Sequence, residues 1–139
     1  LGNLKYKREL KKIKIKEKKR TYVIDIDVTI FKDRKFDTMS KVKAELNPNM
    51  EEFINMLKDN HHMVIITSAR PEYLYQFTVD ELIENNIPYD RIILGIERGP
   101  RYIINDLEPG KPWKRAVGIN VERDKGLHLN LENPLKELT

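Results

Sequence analysis

The sequence predicts an α/β fold: a doubly wound, mainly parallel sheet in three layers, with helices on both faces. Short apolar runs at 21–25, 63–67, 91–95, 101–106 and 116–121 are separated by helical patterns or loops. That alternation makes βαβ units with right-handed crossovers. Three of the runs end in a residue able to do chemistry, namely Asp25, Thr67 and Asp106. In an open parallel sheet the carboxyl ends of neighbouring strands line one crevice, so these residues are expected to meet there.

At 139 residues the chain is long enough for one core and too short for two independent ones. Charged residues make up 35% and hydrophobic residues 40%, the balance of a soluble globular protein. No apolar run approaches the roughly 20 residues that span a bilayer, and the basic N-terminal stretch has no apolar segment behind it. A cytoplasmic protein without a membrane partner is therefore expected. Zero cysteines exclude a disulfide framework, thiolate chemistry and cysteine-ligated zinc.

The net charge of +4 is uneven. Residues 1–20 carry ten Lys or Arg against two Glu, a balance of +8, which leaves −4 on residues 21–139. The chain thus divides into a basic arm, 1–20, and a single mildly acidic domain, 21–139. The arm is suited to a polyanion such as a phosphate backbone, or serves only to solvate, and both readings stay open.

Thr21–Asp25 is β-branched and aromatic, a buried strand that stops at a carboxylate. Residues 31–46 are polar and punctuated, a loop or small hairpin over the end of that strand. Asn47-Pro48-Asn49-Met50-Glu51-Glu52 reads as a helix start, with Asn47 as cap, Pro48 at the first helical position and two acids in the first turn. Met50, Phe53, Ile54 and Leu57 then fall at i, i+3, i+4 and i+7, one buried face through about Asn60. His61 and His62 close this helix and read as surface residues.

Met63–Thr67 is a continuous apolar run, as a central parallel strand requires. Pro71 opens a second helix to about Asn86, with Leu74, Tyr75, Phe77, Val79, Leu82 and Ile83 on its apolar stripe. Arg91–Gly95, Arg101–Asp106 and Ala116–Val121 read as the third, fourth and fifth strands. Trp113 and Tyr102 read as packing residues. Residues 126–139 carry leucines around Pro134, a strand or tail without an assigned role.

Asp25 and Asp27 lie one residue apart at a strand end, where a turn lets both carboxylates converge. Two negative charges so close are tolerated when a cation sits between them or one stays protonated. Alternatively they are solvated aspartates that cap the strand.

Asp25-Ile26-Asp27-Val28-Thr29-Ile30 matches the D-x-D-x-[TV] signature of the haloacid dehalogenase-like (HAD) phosphohydrolases. Ile65-Ile66-Thr67-Ser68-Ala69-Arg70 and Ile103-Ile104-Asn105-Asp106 follow in that superfamily's order, each about forty residues on. Over residues 21 to about 121 the chain resembles this superfamily, which implies a Rossmann-like HAD core. Gly is the family's most frequent residue where Val28 stands, and Asn105 replaces an acid often found there.

The resemblance implies a magnesium-dependent phosphatase, a phosphoric monoester hydrolase. Asp25 would be the nucleophile that becomes an aspartyl-phosphate, and Asp27 the general acid and then base. Asp25, the backbone carbonyl of Asp27, and Asp106 would hold Mg2+. Thr67 would hydrogen-bond a phosphoryl oxygen with help from Ser68, and Asn105 would orient a ligand or water. The family's phosphate-neutralising lysine is missing, and Arg98 stands nearest its place, with Arg101, Lys111 and Arg70 behind it. Arginine suits the role because its fork grips phosphate.

Neither gap between motifs admits a cap domain, so the resemblance is to a capless member. Its open crevice suits a bulky phosphorylated substrate, or a small one enclosed by a partner subunit, and a homo-oligomer stays open. Two alternatives are a catalytically impaired HAD-fold binding module and a nucleic-acid end-processing phosphatase that uses the basic arm.

Overall fold

The computed structural model describes residues 19–127. Most of the arm (1–18) and the leucine-bearing segment 128–139 lie outside the described residues. Three strands, β1 (Thr21–Asp25), β2 (Met63–Thr67) and β3 (Arg91–Ile93), form a parallel sheet in the order β1-β2-β3. Helix α1 (Met50–Asp59) connects the first two strands and α2 (Tyr75–Glu84) the next two. The register pairs Asp25 with Thr67 and Thr67 with Ile93.

Alternation along the strands decides which face is covered. Ile24, Val64 and Ile66 point into a core completed by Met50, Phe53, Ile54, Met56 and Leu57 of α1 and by Leu82 of α2. Each such side chain contributes about 1.5–3 kcal/mol when fully buried. Tyr22 meets Phe53 edge to face at 6.0 Å, a preferred aromatic geometry. Both helices serve one face, as right-handed crossovers taken in one direction along the sheet require. On the other face Val23 and Ile93 are 55% and 50% exposed.

The expected three layers are therefore two among the described residues. The fold is a small α/β structure with a three-stranded parallel sheet, compatible with a Rossmann-like core. No fourth or fifth strand forms among the described residues: 101–106 and 116–121 are irregular, and Tyr102, Ile103 and Ile104 are exposed. Strand propensity measures fit to a packed, pleated surface, and apart from Val121, which packs partly against the core, the apolar residues of these runs do not join it. No helix among the described residues is long and apolar enough to cross a membrane.

The first helix starts later than expected. Asn47 does not cap it; its amide Nδ2 donates to the Thr29 carbonyl at 3.1 Å and its backbone N–H to Ile30 at 2.8 Å. Helix α1 begins at Met50 behind a left-handed Asn49 at φ 67°. Asn47 thus pins the loop after β1 instead. Pro71 likewise precedes a 3-10 turn at Glu72–Leu74, and α2 follows it. The buried stripe of α2 is Thr78, Glu81 and Leu82, whereas Ile83 and Tyr75 face solvent.

His62 is a core residue, not a surface one: it is 0% exposed. Its Nδ1 accepts the Arg20 backbone N–H at 2.9 Å, and its ring stands edge-on to Tyr22 at 5.6 Å. Burial, with Lys19, Arg20 and Lys58 nearby, lowers its pKa, so the ring fills space as a neutral group. The chain reverses at His61, φ 63°, which turns the next side chain inward.

Residues 121–127 return to the loop after β1. Asp124 N–H donates to the Val28 carbonyl at 3.0 Å, and Leu127 N–H to Pro48 at 3.1 Å. Gly126, at φ 70°, is obligatory there, since a Cβ would lie 2.1 Å from the Pro48 carbonyl oxygen.

Candidate functional site

Beyond Asp25 the chain turns sharply. The Ile26 carbonyl accepts the N–H groups of Thr29, Ile30 and Phe31 at 3.3, 2.8 and 3.1 Å, which wraps the backbone around one oxygen. Val28 sits in this wrap at φ 59°, a conformation that a β-branched residue enters only under strain. Glycine takes it freely, which is the physical reason a glycine suits this position. Val28→Gly is expected to relieve about 1–2 kcal/mol of strain against roughly 0.5–1 kcal/mol of added unfolded-chain entropy. The net result is a melting temperature a few degrees higher; a lower one would mean that Val28 packing outweighs the strain.

The turn brings two acids to the carboxyl end of β1. Thr29 Oγ1 donates to Asp25 Oδ2 at 3.4 Å, a long contact, and Thr67 flanks Asp25 in register on β2. Burial pushes the Asp25 carboxyl above the ordinary carboxylate range; Arg101 opposes this and Asp27 reinforces it. Asp27 is engaged by Arg70. That guanidinium donates through Nε to Oδ2 at 2.9 Å and through Nη2 to Oδ1 at 2.8 Å.

The loop after β2 is held as firmly. Ser68 Oγ accepts the Arg70 backbone N–H at 3.0 Å, and Ser68 N–H donates to Ile93 at 3.0 Å. Gly95 N–H reaches the Arg70 carbonyl at 2.8 Å, with Gly95 at φ 72°. Ser68 is thus part of the loop's own scaffold.

A chain of buried charges continues from Arg70. Its Nη1 donates to Thr78 Oγ1 at 3.0 Å and to Glu81 Oε1 at 2.9 Å. Glu81 also accepts a two-pronged contact from Arg34, Nη1 to Oε2 at 2.6 Å and Nη2 to Oε1 at 2.9 Å. Asp27, Arg70, Glu81 and Arg34 alternate in sign, so the set is neutral. Burial opposes the charge on Arg70, but the hydrogen bonds and attraction from Asp27 and Glu81 prevail and raise its pKa.

Asp25, Asp27 and Thr67 of the expected constellation come together, and Asp106 does not join them. It is 69% exposed and lies 3.5 Å from Arg115, because no fourth strand carries it to β1. Asn105 and Arg98 are exposed, and Lys111 lies over the Trp113 ring at 5.5 Å. Arg101, on an exposed segment, is the expected cation whose charge reaches Asp25. Among the described residues no group of three or more His, Cys, Asp or Glu side chains could hold a metal ion.

Comparison with protein-family models, curated proteins and solved structures found no match.

Arg34, Thr78 and Glu81 escape a reading by motif. One signal exists for two of them: Thr78, Glu81 and Leu82 fall at i, i+3 and i+4, which places a carboxylate on the stripe that faces the core. A buried acid demands a cation. Nothing in the irregular loop marks Arg34 as its partner.

Proposed function

We propose that this protein is a magnesium-dependent phosphohydrolase that cleaves a phosphomonoester through an aspartyl-phosphate on Asp25. The reading rests on the strand-end juxtaposition of Asp25, Thr67 and an Asp27 fixed by Arg70. The left-handed turn at Val28 supports it, since it ends β1 just past the two acids and sends the chain away from the strand end.

Asp25 and the backbone carbonyl of Asp27 are hard oxygen donors of the kind Mg2+ takes while keeping several waters and a substrate phosphate. They fit such an ion as a partial set, without Asp106. Bound there, the ion would neutralise charge between carboxylate and phosphate.

In the first step Asp25 attacks phosphorus and the ester P–O bond breaks. Asp27 takes up a proton from solvent on its exposed edge and passes it to the leaving oxygen. In the second, water attacks the same phosphorus, Asp27 takes its proton, and phosphate leaves Asp25. Thr67 donates to a phosphoryl oxygen, and Arg101 replaces Arg98 as the cation that balances phosphoryl charge. The open site takes a substrate presented from solvent.

Hydrolysis of 4-nitrophenyl phosphate with and without magnesium tests the proposal. Wild type is expected to turn over only with magnesium, and Asp25→Asn to lose about a thousandfold or more. Equal inertness of both proteins, extended to phosphorylated metabolites and nucleic-acid ends, would leave a binding module in its place.

A further inference from the structure

The structure holds an arginine whose position suits a substrate cation and whose contacts forbid that role. Arg70 leaves the end of β2 beside Asp25 and Asp27, yet it is 3% exposed. Four of its five N–H donors are directed at Asp27, Thr78 and Glu81. The Phe77 ring lies 5.8 Å from the guanidinium carbon. A phosphate would have to displace these contacts.

We infer that Arg70 is a positioning residue that aims the Asp27 carboxylate at the leaving group, an inference that rests on the phosphohydrolase reading. The fork engages one lone pair on each Asp27 oxygen and leaves the others outward. The Asp27 side chain keeps 32% of its surface exposed, so its outer side is open to a substrate. Rotation about its side-chain bonds, which would otherwise spread the acid over several orientations, is fixed by two hydrogen bonds from a group that is fixed itself. Thr78 and Glu81 hold Arg70 from α2, and Arg34 holds Glu81 from the loop after β1. The acid is thus aimed by two separate elements of the fold.

This role makes a demand that substrate binding or general stability does not. A 4-nitrophenolate leaving group departs without a proton, whereas an alkoxide needs one. Since kcat/KM reports steps only through formation of the aspartyl-phosphate, it isolates the acid step.

The experiment compares wild type and Arg70→Lys on 4-nitrophenyl phosphate and 2-phenylethyl phosphate with magnesium. Lysine keeps the charge but lacks the fork. The variant's kcat/KM on the alkyl ester is expected to fall about 30- to 100-fold, the scale of a misplaced catalytic group. On the aryl ester it should stay within about threefold, and inhibition by inorganic phosphate should be unchanged. A burst of nitrophenolate should appear, because Asp27 also activates the water of the second step.

Equal losses on both esters, or weaker phosphate inhibition, would overturn the inference while the phosphohydrolase reading stands. Wild type inert on both esters would remove both. Should Arg70→Lys fail to fold, Glu81→Gln takes its place. It keeps an acceptor for Arg70, and the alkyl-to-aryl ratio should fall about three- to tenfold. An unchanged ratio overturns the inference.

Discussion

Glu81→Ala is expected to cost about 3–5 kcal/mol of folding stability, the penalty for removing one partner from a buried ion pair. Glu81 stands between two guanidinium groups, from Arg34 and Arg70, whose side chains are only 4% and 2% exposed. Without it two positive charges remain buried, one of them without its charged partner and the other with Asp27 alone. For a chain of this size the loss corresponds to a melting temperature lower by on the order of 10–20 °C.

An exposed pair supplies the contrast. Arg115 and Glu108 also form an ion pair, but both side chains are open to water. Glu108→Ala should cost no more than about 0.5 kcal/mol. Urea denaturation followed by circular dichroism measures both variants. If Glu81→Ala proved as mild as Glu108→Ala, water would have to reach the Arg34–Glu81–Arg70 cluster.

What can be read from the residues is what local patterning controls. β1, α1 and β2 follow from continuous apolar runs and one helical stripe, and the meeting of Asp25 with Thr67 follows from parallel register alone. Asp106 shows where that logic stops. The run Ile103-Ile104 has the composition of a strand, but pairing depends on a neighbour and a covering layer, neither of which is encoded locally. His62 was illegible for a related reason. Its burial depends on the left-handed turn at His61 and on the Arg20 N–H that satisfies Nδ1, contacts made across 42 positions of chain.

Within the site the acids were legible and their partners were not. Asp25 and Asp27 declare themselves by spacing, but which carboxylate faces a substrate depends on a single arginine forty-three positions away. Arg70 sits in a motif where a substrate cation was expected, and its burial by α2 assigns it to Asp27 instead. Glu81, which no motif contains, decides that assignment because it holds the far side of the guanidinium.

Asp25→Asn should make the protein more stable at neutral pH while removing its proposed chemistry. Burial raises the Asp25 pKa, against the opposing charge of Arg101 and with the help of Asp27, so the folded chain holds this proton more tightly than the unfolded chain does. Stability from the protonated carboxyl is therefore complete below the ordinary carboxylate value, about 3.9, and is lost as pH rises through the higher folded-state value. Above it wild type carries a half-buried negative charge beside a second one, and asparagine does not.

In metal-free buffer the variant should melt a few degrees above wild type at pH 7, and the difference should shrink towards zero below about pH 4. Magnesium should then raise the melting temperature of wild type more than that of the variant, since a ligand stabilises only the state that binds it. A variant less stable than wild type at pH 7 would mean that the Asp25 charge is already satisfied within the fold, and the case for a cation at this strand end would lose its electrostatic ground.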